Sequence, residues 1–364
     1  MSMDKSGIVY VPIDLLYDGM VVPHDIFSVE PEILLLRQGL TISDSQIEAI
    51  RRICGGSDTI RVSVETRTMM LEHKLSCTIA NQGKLEEETG YKDAKNETVS
   101  LLREAEDAQT IKQDTLHNVT DNLSNKLEIT KPDKILDLIN ALAPVDEYLL
   151  RHCIDVSLLN GLIGRWLELP KDTIDLLVLV GLVHDCGKVS IPAQVLNAPR
   201  RLALSEFEII KMHSFYGYEL LNDLPVEVRL GVQSHHEKFN GLGYPKGAHS
   251  EDISLAARVT AISDTYNAMV SRRAYKEPLN PFQILSWINK LTASDLDPVI
   301  VDVFVKNMPR ELIGKPVMLS TGEVGAIDSI DFNDLAHPYI RTGNDVLKSG
   351  PSLSCVHMFF EEDA

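Results

Sequence analysis

Residues 176–188 read LLVLVGLVHDCGK, an apolar run that ends in an adjacent histidine and aspartate, His184 and Asp185. The apolar part, residues 176–183, is far too short to cross a bilayer, which needs about 20 residues. Asp172 precedes the run as a candidate N-cap, and Gly187 follows it as a candidate helix stop. The stretch therefore predicts a buried helix whose end delivers an imidazole and a carboxylate to one place.

Further candidate ligands lie on both sides of this stretch, namely His152, His213, the pair His235-His236, and Asp264. Imidazole nitrogens and carboxylate oxygens are the ligands that Fe, Mn, Co and Zn share. A single histidine near an apolar helix is more often a packed, hydrogen-bonded side chain than a ligand. Two adjacent pairs at the ends of apolar helices can instead aim into one cavity. Burying so many unpaired polar groups would cost roughly 1–3 kcal/mol each, so the sequence favours a metal cluster.

The charge and the cysteines limit the class of protein. The chain has 364 residues and a formal net charge of −18, so its surface as a whole repels polyanions and a general nucleic-acid-binding role is disfavoured. A small anionic substrate stays compatible with a metal site, which creates a local positive field. Five scattered cysteines without a Cys-x-x-Cys pair predict reduced thiols, and no signal peptide is evident at the start. We therefore expect a cytoplasmic protein without a membrane segment.

Changes of composition divide the chain into four parts. Residues 1–66 predict a small α+β module, in which Ile47, Ile50 and Ile53 recur on one helix face. Residues 67–132 are acidic, with a thin apolar stripe at helical spacing, which favours a solvated connecting helix over a dimerising coiled coil. Residues 133–310 carry helical signals throughout, and residues 311–364 return to strand-like runs. The fold class predicted is mainly α.

An ordered series of short motifs runs through the helical part of the chain. The series consists of VHDCGK at 183–188, MH at 212–213, HHEKFNGLGYP at 235–245, AAR at 256–258, AISD at 261–264, SRRAYK at 271–276 and LDP at 296–298. Over about residues 146–308 it resembles the HD-GYP family of cyclic di-GMP phosphodiesterases, a branch of the HD metal-hydrolase superfamily. The resemblance implies an HD-type helical bundle, with residues 8–64 similar to a small domain that often precedes it and residues 314–340 similar to a β extension that sometimes follows.

The resemblance implies two divalent metal ions, most commonly Fe or Mn, and a set of site residues. One ion would be held by His152, His184, Asp185 and Asp264, and the other by His213, His235 and His236, with Asp185 bridging both. Lys188 would contact the phosphate or the leaving oxygen, so that Lys188 and Asp185 are the predicted catalytic residues. The predicted substrate-binding residues are Arg273, Lys276, Tyr244 and Gly243. Without the family resemblance, Arg273 and Lys276 could be surface charges. Tyr244 could either stack on a base or fill the loop.

Some positions depart from the family pattern. Relatives with a third metal carry a glutamate where this chain has Tyr148, so two metals are expected, although Glu147 is adjacent. Asn267 and Ala274 stand where Asp and Pro are frequent. Neither is a ligand in the pattern, so the sequence connects them with the substrate grip rather than with the metals.

Three functions follow from the resemblance. The first is hydrolysis of cyclic di-GMP to linear pGpG and on to GMP. The second is a catalytically weak receptor. It would bind either the dinucleotide or, through the Gly-Tyr-Pro loop, a partner protein that is a GGDEF-type diguanylate cyclase. The third is a phosphodiesterase for a mixed cyclic dinucleotide. A homodimer through the helix of residues 67–132 is a further expectation, and no nucleic acid polymer or membrane is expected as a partner.

Overall fold

The computed structural model describes most of the chain in two compact units. The residues described are 8–13, 16–28, 34–54, 59–63, 93, 96–100, 113–140, 148–196, 198, 200–270, 280–291, 295–321, 324–343, 345–350 and 353–358. One unit comprises residues 84–311, and the other comprises residues 1–83 and 312–364. None of the described helices is both long and apolar enough to span a bilayer.

The N-terminal residues form an antiparallel sheet and one helix, as the sequence predicts. The strands are β1 (Ile8–Pro12), β2 (Ile26–Ser28), β3 (Leu34–Leu36) and β4 (Thr59–Ser63), in the spatial order β1-β4-β2-β3, and the helix is α1 (Asp44–Cys54). Ile47 and Ile50 of α1 are buried in the core of this module, whereas Ile53 is 58% exposed. The expectation that Ile53 shares the buried face is therefore wrong, because at about 100° per residue Ile53 lies about 120° around the helix axis from Ile47.

The unit of residues 84–311 is helical. Its elements are α2 (Gln113–Ile129), α3 (Pro132–Asn140), α4 (Tyr148–Trp166), α5 (Lys171–Val183), α6 (Ala193–Leu196), α7 (Leu204–Leu220), α8 (Val226–Ser234), α9 (Leu255–Val270), α10 (Pro281–Leu291) and α11 (Pro298–Asn307). Helix α5 begins after Pro170, so Asp172 lies in its first turn instead of capping it.

Helices α4, α5 and α9 pack so closely that small and polar side chains fix their positions. A Cβ atom at Gly181 of α5 would lie 2.6 Å from the Cα atom of Ser157 in α4, which leaves no room for a larger residue. Asn160 of α4 donates hydrogen bonds of 2.9 Å to the carbonyl of Leu177 in α5 and to the hydroxyl of Thr260 in α9. These contacts hold three helices that carry or end at candidate ligands.

The apolar stripe of α2 is buried within the chain. Leu116, Val119, Leu123 and Leu127 are at most 3% exposed. Leu127 packs on Gly161 of α4, and its carbonyl accepts a 2.7 Å hydrogen bond from Arg165. The prediction of a solvated connecting helix is therefore wrong for residues 113–129, and these side chains are covered without a second copy of the chain. Residues 102–111 of the same predicted stripe lie outside the described residues.

The C-terminal residues form an antiparallel sheet, as predicted. Its strands are β5 (Pro316–Leu319), β6 (Val324–Ser329), β7 (Tyr339–Thr342), β8 (Asp345–Lys348) and β9 (Cys355–Met358), in the order β8-β7-β6-β5-β9. The fold class is confirmed as mainly α, with a small N-terminal α+β module and a C-terminal β extension. The cysteines within the described ranges are all free thiols.

We predict that Leu123→Ala lowers the free energy of unfolding of the helical unit by about 2–5 kcal/mol, because it leaves a cavity under α2. Ile129→Ala on the same helix is the matched control, since Ile129 is 77% exposed and should change stability by less than about 0.5 kcal/mol. Urea unfolding followed by tryptophan fluorescence reports this unit, because Trp166 and Trp287 both lie in it. Equal effects of the two variants would contradict the placement of α2.

Candidate metal centre

Five helices bring the candidate ligands together. His152 lies on α4, His184 and Asp185 directly follow α5, His213 lies on α7, His235 and His236 directly follow α8, and Asp264 lies on α9. They form two groups, Asp185 with His213, His235 and His236, and His152 with His184 and Asp264. Within each group, one ligand atom of every residue lies within 4.8 Å of the others. The seven predicted ligands therefore meet at one place.

A glycine fixes the approach of α5 to α7. The chain leaves α5 through a short 3-10 helix, Cys186–Ser190, and there Gly187 touches the backbone of α7. A Cβ atom at position 187 would lie 2.0 Å from the carbonyl oxygen of His213 and 2.4 Å from the amide nitrogen of Gly217. Gly187 was expected to end the helix, but the helix ends at Val183. The glycine is needed instead for this close approach, which sets Asp185 against His213.

Three of the histidines are oriented by their own helices. Each donates from Nδ1 to the backbone carbonyl three residues earlier: His184 to Gly181 at 2.8 Å, His213 to Ile210 at 2.5 Å, and His235 to Val232 at 2.6 Å. A carbonyl only accepts, so the proton of a neutral ring lies on Nδ1 and the lone pair lies on Nε2. This is the tautomer that a metal ligand needs.

His152 has the same tautomer for a different reason. Its Nδ1 lies 2.7 Å from the Oδ1 of Asn267, whose amide nitrogen donates to the Asp155 carboxylate at 3.1 Å. The amide group of Asn267 is thereby oriented with its oxygen toward His152, so His152 donates from Nδ1 and its Nε2 carries the lone pair. The sequence connects Asn267 with the substrate grip rather than with the metals, but its hydrogen bond to His152 ties it to the candidate ligands. Asn267 and Asp155 are the positioning residues that sequence reasoning missed.

Asp185 lies between the two groups of ligands. Its Oδ2 atom is 3.4 Å from Nε2 of His184 and 3.8 Å from Nε2 of His152, whereas its Oδ1 atom is 3.5 Å from Nε2 of His213. Each oxygen thus faces a different group. On the side of the first group, Asp264 Oδ1 lies 3.1 Å from Nε2 of His152.

The polar atoms of this cluster fit divalent cations. His184 Nε2 and Asp185 Oδ1 are buried and have no hydrogen-bond partner among the described residues. His213 Nε2 and His235 Nε2, which both carry lone pairs, lie 3.4 Å apart. Such an arrangement costs about 1–3 kcal/mol per unsatisfied group unless a cation lies between the donor atoms. The mixture of imidazole and carboxylate suits Fe, Mn, Co or Zn.

The protonation states also suit cations. Burial lowers the pKa of His213, lowers that of His235 well below its usual value, and lowers that of His236 to about 4. Burial alone would raise the pKa of Asp185, but the nearby ammonium of Lys188 and the imidazole of His184 outweigh it and hold this pKa well below its usual range. At neutral pH these groups are neutral imidazoles and a carboxylate, which are the forms that bind metals.

Lys188 lies beside Asp185. Its Nζ atom donates to Oδ2 of Asp185, and its side chain is 24% exposed. Burial would lower the pKa of Lys188, but the Asp185 carboxylate reverses the effect and the net direction is upward. Lys188 is therefore a charged ammonium at the edge of the cluster.

The Gly-Tyr-Pro loop folds back onto His236. A Cβ atom at Gly243 would lie 2.3 Å from the amide nitrogen of Lys238 and 2.5 Å from the carbonyl oxygen of His236, so only glycine fits there. The Tyr244 N–H donates to the same carbonyl at 3.2 Å, and the Tyr244 ring lies 4.8 Å from the His236 ring. Gly243 and Tyr244 thus hold the last of the candidate ligands. Arg273, Lys276, Ala274 and Glu147 lie outside the described residues.

Residues 134–300 match the family model described as HD domain. Among curated proteins, the chain is 34% identical over 256 residues to the cyclic di-GMP phosphodiesterase PA4108 of Pseudomonas aeruginosa. The aligned region covers 68% of this chain and 60% of that protein. The chain is 29% identical over 197 residues to the 3'3'-cGAMP-specific phosphodiesterase 2 of Vibrio cholerae, covering 53% of this chain and 37% of that protein. The chain therefore spans less than two thirds of either relative.

A solved structure, Bd1817, a HDG"Y"P protein from Bdellovibrio bacteriovorus, has a similar fold. Its TM-score is 0.51 at 14% identity, with 83% of this chain and 99% of that chain covered. The fold, the histidine and aspartate cluster and the matching family model define an HD-domain protein. The motifs from VHDCGK to LDP and the curated relatives narrow this class, and the chain belongs to the HD-GYP family.

We predict that Asn267→Ala weakens the binding of Mn²⁺ about 10- to 100-fold, because His152 loses the group that fixes its tautomer and ring orientation. Asn307→Ala is the control, since Asn307 is a helical asparagine on α11 whose side chain donates to the backbone carbonyl of Val303 in its own helix. Metal affinity is measured by equilibrium dialysis with elemental analysis, and folding is checked by thermal melting. An Mn²⁺ affinity equal to that of the control would show that Asn267 does not position the ligand.

Proposed function

We propose that this chain is a metal-dependent phosphodiesterase that opens cyclic di-GMP to linear pGpG and then cuts pGpG to GMP. The observation that carries the proposal is the position of Asp185, whose two oxygens face two different groups of buried histidine ligands. A carboxylate in this position can bind one cation with each of its two oxygens. Hydrolysis of a phosphodiester is the chemistry for which paired cations are suited.

In this proposal the two groups hold two divalent ions, Fe or Mn. His152, His184 and Asp264 with one oxygen of Asp185 would bind the first, and His213, His235 and His236 with the other oxygen would bind the second. When bound, such a pair of ions supplies hydroxide at neutral pH and binds the phosphate oxygens. The chain itself sets the tautomers of His152, His184, His213 and His235 by hydrogen bonds to Nδ1. Burial also lowers the pKa of His213, His235 and His236, so these three imidazoles are neutral at neutral pH.

Lys188 is the proposed proton donor and cationic contact for the leaving oxygen. Its ammonium is charged, lies against Asp185 and still has part of its side chain open to solvent. A positioned cation stabilises the negative charge that develops on a departing alkoxide. Arg273 and Lys276, which follow the end of the AISD motif by nine and twelve residues, are the proposed contacts for the second phosphate or a guanine edge.

The substrate class is supported by the names of the relatives. Cyclic di-GMP is the substrate named for the Pseudomonas relative, and 3'3'-cGAMP is the one named for the Vibrio relative. Because the Vibrio relative is named for 3'3'-cGAMP, a mixed cyclic dinucleotide is the alternative substrate. Both molecules present a phosphodiester within a cyclic backbone, so the metal cluster does not distinguish them.

A receptor function and a cytoplasmic location stay predictions of the sequence. Leu242, at 79% exposure, presents an apolar side chain in the loop through which a diguanylate cyclase partner was expected. This exposure suits a protein contact, but a catalytically weak receptor would have no need of the ordered ligands and the charged Lys188 described above.

The proposed function is tested by turnover of the full chain, purified without oxygen and loaded with Fe²⁺ or Mn²⁺. Cyclic di-GMP, 3'3'-cGAMP and bis(p-nitrophenyl) phosphate are offered separately, and products are separated by chromatography. We expect all metal-dependent hydrolysis to stop with a chelator and pGpG to appear before GMP. Binding of cyclic di-GMP without turnover would contradict the enzyme and support the receptor.

We predict that Lys188→Ala lowers kcat for cyclic di-GMP about 100-fold while both metals stay bound, because a charge-assisted contact to the leaving oxygen is lost. Lys290→Ala, at an exposed position of α10, is the control and should match the wild type. Elemental analysis and single-turnover kinetics are the measurements. Loss of metal in the Lys188 variant would show that the lysine supports Asp185 rather than the chemical step.

A further inference from the structure

The cluster of candidate ligands is open to solvent on one side. His152, His184, Asp185, His213 and His235 are at most 4% exposed, whereas His236 and Asp264 are partly exposed. A phosphodiester must therefore approach the cluster past His236 and Asp264. The predicted substrate-binding residues that the structure describes, Gly243 and Tyr244, both lie on the His236 side of the cluster.

A line of side chains leads outward from His236. The Tyr244 ring packs on the His236 ring, and the Lys211 ammonium lies 5.6 Å from the centre of the Tyr244 ring. The same ammonium lies 5.2 Å from the centre of the Phe207 ring, one turn earlier on α7. Phe207 is 44% exposed. An accessible aromatic ring and a cation thus lie next to the open side of the phosphate-binding cluster.

A cyclic dinucleotide matches this combination. When one of its phosphates lies at the metals, the purine base attached to the adjoining sugar must lie beside them. Purines stack on aromatic side chains, and a lysine near the ring attracts phosphate oxygens. Lys211 is already paired with Glu208 at 2.7 Å, but Glu208 is itself exposed, so this pair is weak and leaves the ammonium available.

We propose that Phe207, with Lys211 and Tyr244, forms a stacking subsite for one purine base of the cyclic dinucleotide. The proposal rests on the proposed function, because it assigns a substrate to the same cluster. The subsite contributes to substrate binding and leaves the metals untouched, since Phe207 belongs to neither group of ligands and its ring is accessible to solvent.

Phe215 provides a matched control. It is a second phenylalanine on α7, it is 43% exposed, and it lies two helical turns beyond Phe207 beside Tyr216. A loss of general hydrophobic surface would affect Phe207→Ala and Phe215→Ala alike. A base-stacking role affects Phe207→Ala alone and is restored in Phe207→Trp.

The experiment measures how cyclic di-GMP inhibits the hydrolysis of bis(p-nitrophenyl) phosphate by the Mn²⁺-loaded full chain. This small ester needs only the metals, so its own rate reports the cluster, and inhibition reports dinucleotide binding whether or not the dinucleotide is cleaved. We expect Phe207→Ala to raise the inhibition constant about tenfold, with the ester rate unchanged, and Phe215→Ala to match the wild type.

Three outcomes would overturn the subsite. The first is an unchanged inhibition constant in Phe207→Ala, and the second is an equal rise in Phe215→Ala. The third is a loss of the ester rate in Phe207→Ala, which would show that the ring supports the ligands. Failure of the proposed function gives a different result. In that case cyclic di-GMP inhibits ester hydrolysis by the wild-type protein but is never cleaved. The inhibition constant still measures binding at the subsite.

Discussion

The Asp185 carboxylate is the group on which the arrangement of the helical unit depends. It is 4% exposed, and a buried carboxylate is costly unless opposite charges and hydrogen-bond donors surround it. Its two oxygens face histidines from α4, α5 and α7, which requires these helices to meet closely at one point. Gly181 and Gly187 permit that approach, because any larger side chain at either position would collide with the neighbouring helix. The packing of the bundle and the geometry of the cluster are thus set by the same contacts.

The same local hydrogen bond, from Nδ1 to a backbone carbonyl, orients several of the histidine ligands. His184 and His235 stand immediately after the last turns of α5 and α8, where backbone carbonyls lack their helical partners. Each ring uses Nδ1 to satisfy the carbonyl three residues earlier, and this one bond fixes both the tautomer and the direction of Nε2. His152 sits within α4, so it takes its partner from α9 through Asn267 instead. The helix ends therefore orient His184 and His235, whereas a neighbouring helix orients His152.

Much of this could be predicted from the sequence, for reasons that are local. The apolar run before His184 predicts a buried helix. The motifs contain six of the seven ligands that the structure brings together, and the family resemblance adds His152. The sequence could not show what covers the α2 stripe, because periodicity reveals that Leu116 and Leu123 share a face but not which helix they meet. For the same reason Asn267 was connected with the substrate, since 115 residues separate it from His152 and only the fold brings them to 2.7 Å. A helix stop and a close approach of two helices favour the same residue, so the sequence alone does not distinguish these two roles for Gly187.

The central claim is that one carboxylate serves two cations, and electron paramagnetic resonance of the Mn²⁺-titrated full chain tests it most directly. Two Mn²⁺ ions bridged by Asp185 would be coupled to each other, so the account predicts saturation at two equivalents per chain and the spectrum of an exchange-coupled pair. Saturation at one equivalent, or two ions with the separate spectra of isolated Mn²⁺, would contradict it.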